Sequence, residues 1–201
     1  MIILVKRIIE CLPTIALAVA AVLPSWVQAQ TSHRTMDSLF VEMPDTLMPL
    51  LSRNNRMDCI DFLSGGMRAV VTNRLDEKSE LLTITPDFME LVPTGSSRLT
   101  ARRLLMPDGS AAVCIVHTVY SPRPYSRISL YDTSWKPLSG LPTAATDALW
   151  AEIKLSADNT RLIIVEEREA ATPSDDEIEI KYMATTTEYE WEAGRFVLIA
   201  K

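Results

Sequence analysis

Arg98-Leu99-Thr100-Ala101-Arg102-Arg103-Leu104-Leu105-Met106, then Pro107-Asp108-Gly109-Ser110, then Ala111-Ala112-Val113-Cys114-Ile115-Val116-His117-Thr118-Val119-Tyr120 reads as two strands and the turn between them. The proline presets its backbone angle and the glycine accepts a positive one, so residues 98–106 and 111–120 are predicted to fold back as an antiparallel hairpin. The same period of two extends upstream. Arg68, Val70 and Thr72, then Leu82, Ile84 and Phe88, predict two or three strands broken near Asp76-Glu77 and Thr85-Pro86-Asp87. Downstream, Ile128 and Leu130 alternate with Arg127, Ser129 and Tyr131, and Asp132-Thr133-Ser134 turns the chain into Trp135. Ile153-Lys154-Leu155 and residues 162–165 flank Ala157-Asp158-Asn159, a second hairpin. Ile178, Ile180 and Tyr182 alternate strictly. Tyr189 and Trp191 alternate with Glu188, Glu190 and Glu192, which sends the Trp191 ring inward, and Ala193-Gly194 leads into a last strand at Phe196 to Ile199. Thr143 to Ala148 adds at most one helical turn before Trp150.

Helical spacing is confined to the region before Arg68. Asp45 stands as a cap ahead of Thr46-Leu47-Met48-Pro49, predicting a short first helix. A second is expected from Asn54-Asn55, with Asp58 near its positive end, Met57, Ile60 and Leu63 on one face, and a stop at Gly65-Gly66. The connections are too short for parallel crossovers. The predicted class is therefore α+β: two short N-terminal helices packed on a curved, mostly antiparallel meander of about eight to eleven strands.

The 201-residue chain opens with Lys6-Arg7, an apolar run from Leu12 to Leu23, and the small-residue site Val27-Gln28-Ala29. These are the parts of a secretory signal, with cleavage expected after Ala29. Glu10, Pro13 and Pro24 interrupt the run too often for a membrane anchor. The expected organisation is a signal peptide at 1–29, a polar flexible tail at 30–35 and one α+β domain at 36–201, exported to the periplasm of a Gram-negative bacterium and without a membrane span after cleavage. Cleavage removes Lys6, Arg7 and Glu10, leaving 18 basic and 25 acidic residues and a net charge of −7. That balance argues against a nucleic-acid or anionic-membrane binder, which needs a basic footprint.

Chemistry-bearing motifs are sparse. The six glycines include no spaced series before a lysine, and no serine sits in a G-x-S-x-G elbow. Of two histidines, His33 falls in the tail and His117 lies mid-strand beside Ile115 and Val119, where a base for a nucleophile or a structural histidine both fit. Asp58 and Asp61, three apart on the second helix, place two carboxylates side by side. They could couple their protonation for acid/base work, or simply favour a helix start. Asp175-Asp176-Glu177 with Glu179 lacks the glycine and spaced oxygens of a calcium loop. Cys59 and Cys114 survive cleavage and could pair in an oxidising compartment or sit apart as small hydrophobes. Arg98 and Arg102 share a strand face and fit either an anion or a solvated surface. Tyr125, Tyr131, Trp135, Trp150, Tyr189 and Trp191 fit core packing or a stacking face. No catalytic residue, cofactor site or metal site is assigned from the sequence.

Several blocks carry a resemblance. Met43-Pro44-Asp45-Thr46-Leu47-Met48-Pro49-Leu50-Leu51 followed by Asn54-Asn55-Arg56-Met57-Asp58-Cys59-Ile60-Asp61-Phe62 resembles the opening of a domain-of-unknown-function family of secreted Bacteroidales proteins. Val71-Thr72-Asn73-Arg74-Leu75, Ser79-Glu80-Leu81-Leu82 and Tyr131-Asp132-Thr133-Ser134-Trp135-Lys136-Pro137-Leu138 are similar to its later blocks. The resemblance spans nearly the whole mature chain and implies a signal peptide and a single exported domain, with no established activity and no catalytic residues to carry over. It also implies an apolar residue in relatives where Cys59 stands, which argues against a shared disulfide.

The function expected on these grounds is a non-enzymatic binding or interaction module of the envelope, meeting a protein or glycan partner through a sheet face or edge. Two alternatives stand beside it: a small hydrolase of an envelope or dietary polymer using Asp58 and Asp61 or His117, and a small-ligand or lipid carrier with a cavity inside the sheet.

Overall fold

The computed structural model describes residues 34–147, 150–173 and 178–200. Two helices come first, α1 (Met36–Glu42) and α2 (Arg53–Ser64). Strands β1 (Ala69–Thr72), β2 (Lys78–Ile84), β3 (Phe88–Thr94), β4 (Ser97–Leu105), β5 (Ala111–Tyr120) and β6 (Pro124–Asp132) then form an antiparallel six-stranded meander in chain order. A single-turn helix α3 (Thr143–Asp147) precedes a second meander of β7 (Ala151–Leu155), β8 (Arg161–Pro173), β9 (Ile178–Glu192) and β10 (Arg195–Ala200), ordered β10-β9-β8-β7. The α+β class and the antiparallel pairing match the expectation from sequence, but the strands are divided between two sheets.

The β4–β5 hairpin closes where Pro107-Asp108-Gly109 requires. Gly109 adopts φ +81°, its N–H donates to the Met106 carbonyl at 3.0 Å, and Met106 receives the chain back by donating to Ser110 at 2.9 Å. β5 then pairs along its whole length with β4 and β6. Its residues from Ala112 to Val116 are buried in unbroken sequence, the pattern of a strand covered on both faces. Alternation sorts them. Val113 and Ile115 join Leu39, Phe40, Met43, Met48, Leu51 and Cys59 in a core between sheet and helices. Ala112, Cys114 and Val116 join Ile153, Leu162, Ile164, Trp191 and Phe196 in a second core between the two sheets. The molecule is layered as helices, six-stranded sheet and four-stranded sheet.

Polar groups tie the sheets together. Ser126 Oγ accepts from the Ile153 N–H at 2.9 Å while sharing a 2.8 Å hydrogen bond with Thr118. Arg102 reaches across to donate to the carbonyls of Ser156 and Ala157 at 3.0 and 2.7 Å. The Trp191 indole donates to the Leu105 carbonyl at 2.7 Å and meets Phe196 edge-on at 5.0 Å, so its ring lies inside, as alternation with the glutamates requires.

Two local expectations need correction. The first helix is residues 36–42, not the Asp45 segment. Asp45 to Leu47 forms a turn instead, with Leu47 and Met48 donating to the Pro44 carbonyl, because the Asp45 carboxylate is taken by distant arginines. α2 starts at Arg53 behind an Ser52 cap whose hydroxyl accepts from the Asn55 N–H while Asn55 reaches back to the Ser52 N–H. Asp58 therefore sits mid-helix, beyond the first turn where the dipole would favour it. Cys59 and Cys114 are both free and buried on opposite faces of the six-stranded sheet, and burial pushes the Cys59 thiol up to about 11 and the Cys114 thiol upward too.

Candidate functional site

The segment between α1 and α2 crosses the helix-side face of the six-stranded sheet as a roof. Met43, Met48 and Leu51 are buried beneath it as anchors. Arg56 of α2 lies under the chain and donates to the carbonyls of Leu51 at 2.8 Å and Val41 at 3.3 Å, and to the Asp45 carboxylate at 3.3 Å. Arg74 adds a 2.6 Å ion pair to the other Asp45 oxygen, and its N–H binds the Leu50 carbonyl at 3.0 Å. Hydrogen bonding by Arg74 is the main reason the Asp45 carboxyl is held below its ordinary pKa. Farther along, Asn73 and Ser79 both donate to the Pro93 carbonyl, at 3.1 and 2.6 Å, fixing β3 at the same end of the sheet.

Between this roof and the strands lies a cavity of about 480 Å3. Leu47 and Met48 line it from the roof together with Thr46, and on the sheet face Leu99 and Ile115 lie interleaved with His117, Arg127, Ser129 and Tyr131. The register brings these four together, because His117 of β5 is paired directly with Arg127 of β6, Ile115 with Ser129, and Val113 with Tyr131. Among the described residues none of the side-chain polar groups of His117, Arg127, Ser129 and Tyr131 has a hydrogen-bond or ion-pair partner. Among the described residues no carboxylate lines the cavity. His117 and Arg127 are exposed at the cavity, and partial desolvation lowers the His117 pKa, which favours a neutral ring at pH 7.

The carboxylates singled out from the sequence lie elsewhere. Asp58 and Asp61 are exposed on α2. Asp61 borders a depression of about 280 Å3 between α1 and α2, with Asp37, Glu42 and Arg53, and Asp58 does not. Neither lines the cavity of His117, and no hydrogen bond joins His117 to Ser129. Arg98 is paired with Glu90 and Arg102 with the β7–β8 turn, so neither offers an open anion site. Tyr125 and Trp150 are exposed, and Tyr131 packs its ring against Trp135 at 6.1 Å. His33 and the acidic residues 175–177 lie outside the described residues, as does the signal segment. The described residues contain no group of three potential metal ligands and no helix long and apolar enough to cross a membrane. Sequence reading passed over Arg127 and Ser129 as site residues, although the alternation of Arg127, Ser129 and Tyr131 on one face was visible. What was missing was the register that sets Arg127 opposite His117.

Residues 27–142 match a family model described as "Protein of unknown function (DUF3256)". The chain belongs to this family. The matched span runs from before α1 to Pro142, so every residue lining the cavity falls within it, while the elements from α3 to β10 lie beyond it. The fold is similar to a solved structure described as a domain of an uncharacterized protein from Porphyromonas gingivalis W83, a Bacteroidales bacterium. The TM-score is 0.61 at 21% identity, covering 83% of this chain and 98% of that one. No curated protein matches.

Proposed function

We propose that this DUF3256 protein is a non-enzymatic binding module of the cell envelope, exported with cleavage after Ala29, and that its ligand sits between the roof at residues 46–50 and the β5–β6 face. One observation carries the reading: a cavity of about 480 Å3 lined by apolar side chains and by a cluster of unpartnered polar ones, the composition of a small-molecule site. A hydrolytic site needs a nucleophile, a base and an orienting group within reach of one another. Asp58 and Asp61 stand apart from His117, and His117 stands unbonded to Ser129, which favours binding over turnover.

The test is to recover the protein from the envelope of its own host, sequence its N-terminus, and identify by mass spectrometry the small molecules released on denaturation. Ser129→Trp, which fills the cavity from the edge strand, is the comparison. A mature chain starting at Gln30 that carries a compound lost in Ser129→Trp supports the reading. An unprocessed cytoplasmic chain, or identical extracts from both proteins, overturns it.

A further inference from the structure

We propose that the cavity beneath the α1–α2 roof is a carboxylate site for a small acid with a hydrocarbon stem, in which Arg127 pairs with the carboxylate, His117, Ser129 and Tyr131 hydrogen-bond around it, and the stem lies against Leu47, Met48, Leu99 and Ile115. This rests on the cavity being the binding site. The charge distribution identifies the anion. The chain carries 26 acidic residues against 20 basic ones, and its arginines are mostly taken: Arg56 and Arg74 by Asp45, Arg68 by Glu80, Arg98 by Glu90, Arg103 by Asp87 and Arg161 by Glu188. Among the described residues Arg127 has no such partner, it is the only cation lining the cavity, and no carboxylate joins it there.

A planar guanidinium with open donors matches a carboxylate in two parallel hydrogen bonds. The register places the other groups within reach of the same anion. His117 is directly across the strand pair from Arg127, and Ser129 and Tyr131 follow at two-residue steps on the same face of β6. Around these groups Leu47 and Met48 of the roof and Leu99 and Ile115 of the sheet present only carbon and sulfur from their side chains, and Thr46 is the one other polar side chain of the lining. A ligand that is polar throughout finds few partners against these four side chains, whereas a hydrocarbon stem gains by burial there. The volume lies in the range that encloses small ligands.

The experiment is isothermal titration of the mature protein with decanoate, decanol and acetate, repeated on Arg127→Met and on two cavity-filling variants, Ser129→Trp and Leu47→Trp, each checked for an unchanged melting temperature. Decanoate is expected to bind saturably, at least about tenfold tighter than either decanol or acetate, and to lose about tenfold to a hundredfold in Arg127→Met, the effect of removing one charged hydrogen-bonding partner. Decanol binding as tightly as decanoate, with both lost in the filled variants, overturns the carboxylate assignment and leaves the cavity as the binding site. Binding that neither filled variant changes, or no binding of any probe, overturns both. N-acetyl-leucyl-leucine distinguishes the other source of a carboxylate: if it outcompetes decanoate while its C-terminal amide does not bind, the site takes a peptide terminus and the hydrocarbon stem is wrong.

Discussion

Replacing Arg56 by methionine tests the support of the roof. The Arg56 side chain is 3% exposed and that of its partner Asp45 is 52% exposed, so the two ends of the interaction respond differently. Methionine roughly fills the aliphatic volume but withdraws the donors from the Leu51 and Val41 carbonyls, whose hydrogen bonds are 2.8 and 3.3 Å long. A buried acceptor left without a partner costs about 1–3 kcal/mol, with the shorter bond at the upper end. Asp45 keeps its 2.6 Å pair with Arg74 and turns to water. Two terms lower the total. Burying the guanidinium carries a desolvation cost that methionine avoids, and Arg56 Nε has no partner. The net loss comes to about 3 kcal/mol, which for a chain of this size lowers the melting temperature by roughly 6–12 °C. Urea and thermal unfolding followed by circular dichroism measure it, and Asp45→Asn is expected to lose much less. A change below about 0.5 kcal/mol in Arg56→Met, or Asp45→Asn losing as much as Arg56→Met, refutes the assignment of Arg56 as the buried brace.

Other outcomes follow from the same packing. Cys59 and Cys114 lie on opposite faces of the sheet, so the native protein is expected to show two thiols that react with a disulfide reagent only after denaturation; one intact disulfide would contradict the layering. Leu162 is fully buried between the sheets, and Leu162→Ala is expected to cost about 2–5 kcal/mol in urea unfolding, whereas an exposed meander would lose far less. Partial desolvation lowers the His117 pKa, so the unfolded chain takes up the proton first; this contribution to stability is full above about pH 6.5 and fades as the pH falls below it. His117→Gln should therefore flatten the decline in melting temperature between pH 7 and 5, and an unchanged or steeper decline would show that desolvation does not govern this residue.

The parts of the fold legible in the sequence are those fixed by neighbours in the chain. Pro107-Asp108-Gly109 sets the β4–β5 hairpin through its own backbone angles, and the glutamates around Trp191 direct its ring inward through alternation alone. The roof is not legible in the sequence for the converse reason. Asp45 before Thr46-Leu47-Met48-Pro49 has the local form of a capped helix, but its carboxylate is claimed by Arg56 and Arg74 from 11 and 29 residues away, and no local pattern reports that. The division into two sheets was also non-local. Successive strands adjoin everywhere except between β6 and β7, where Tyr131 bridges to Pro137 and Leu138 binds back to Leu130, turning the chain away. One clue was present in Ala112 to Val116, an unbroken apolar run that requires cover on both faces. Of the site, His117 was visible as a residue type, but its partners were not. Arg127 joins it only through pairing across the Tyr120–Pro124 turn, and the cavity is closed by a roof whose local pattern is that of a helix.

The most direct test is a decanoate titration of the 15N-labelled mature protein followed by amide chemical shifts. The account predicts saturable changes concentrated at residues 46–50 and at Ile115, His117, Arg127, Ser129 and Tyr131, with the exposed Leu198 and Ile199 of β10 unmoved. Changes centred on β10 or on the Asp58–Asp61 face of α2, with the roof and the β5–β6 face silent, would contradict it.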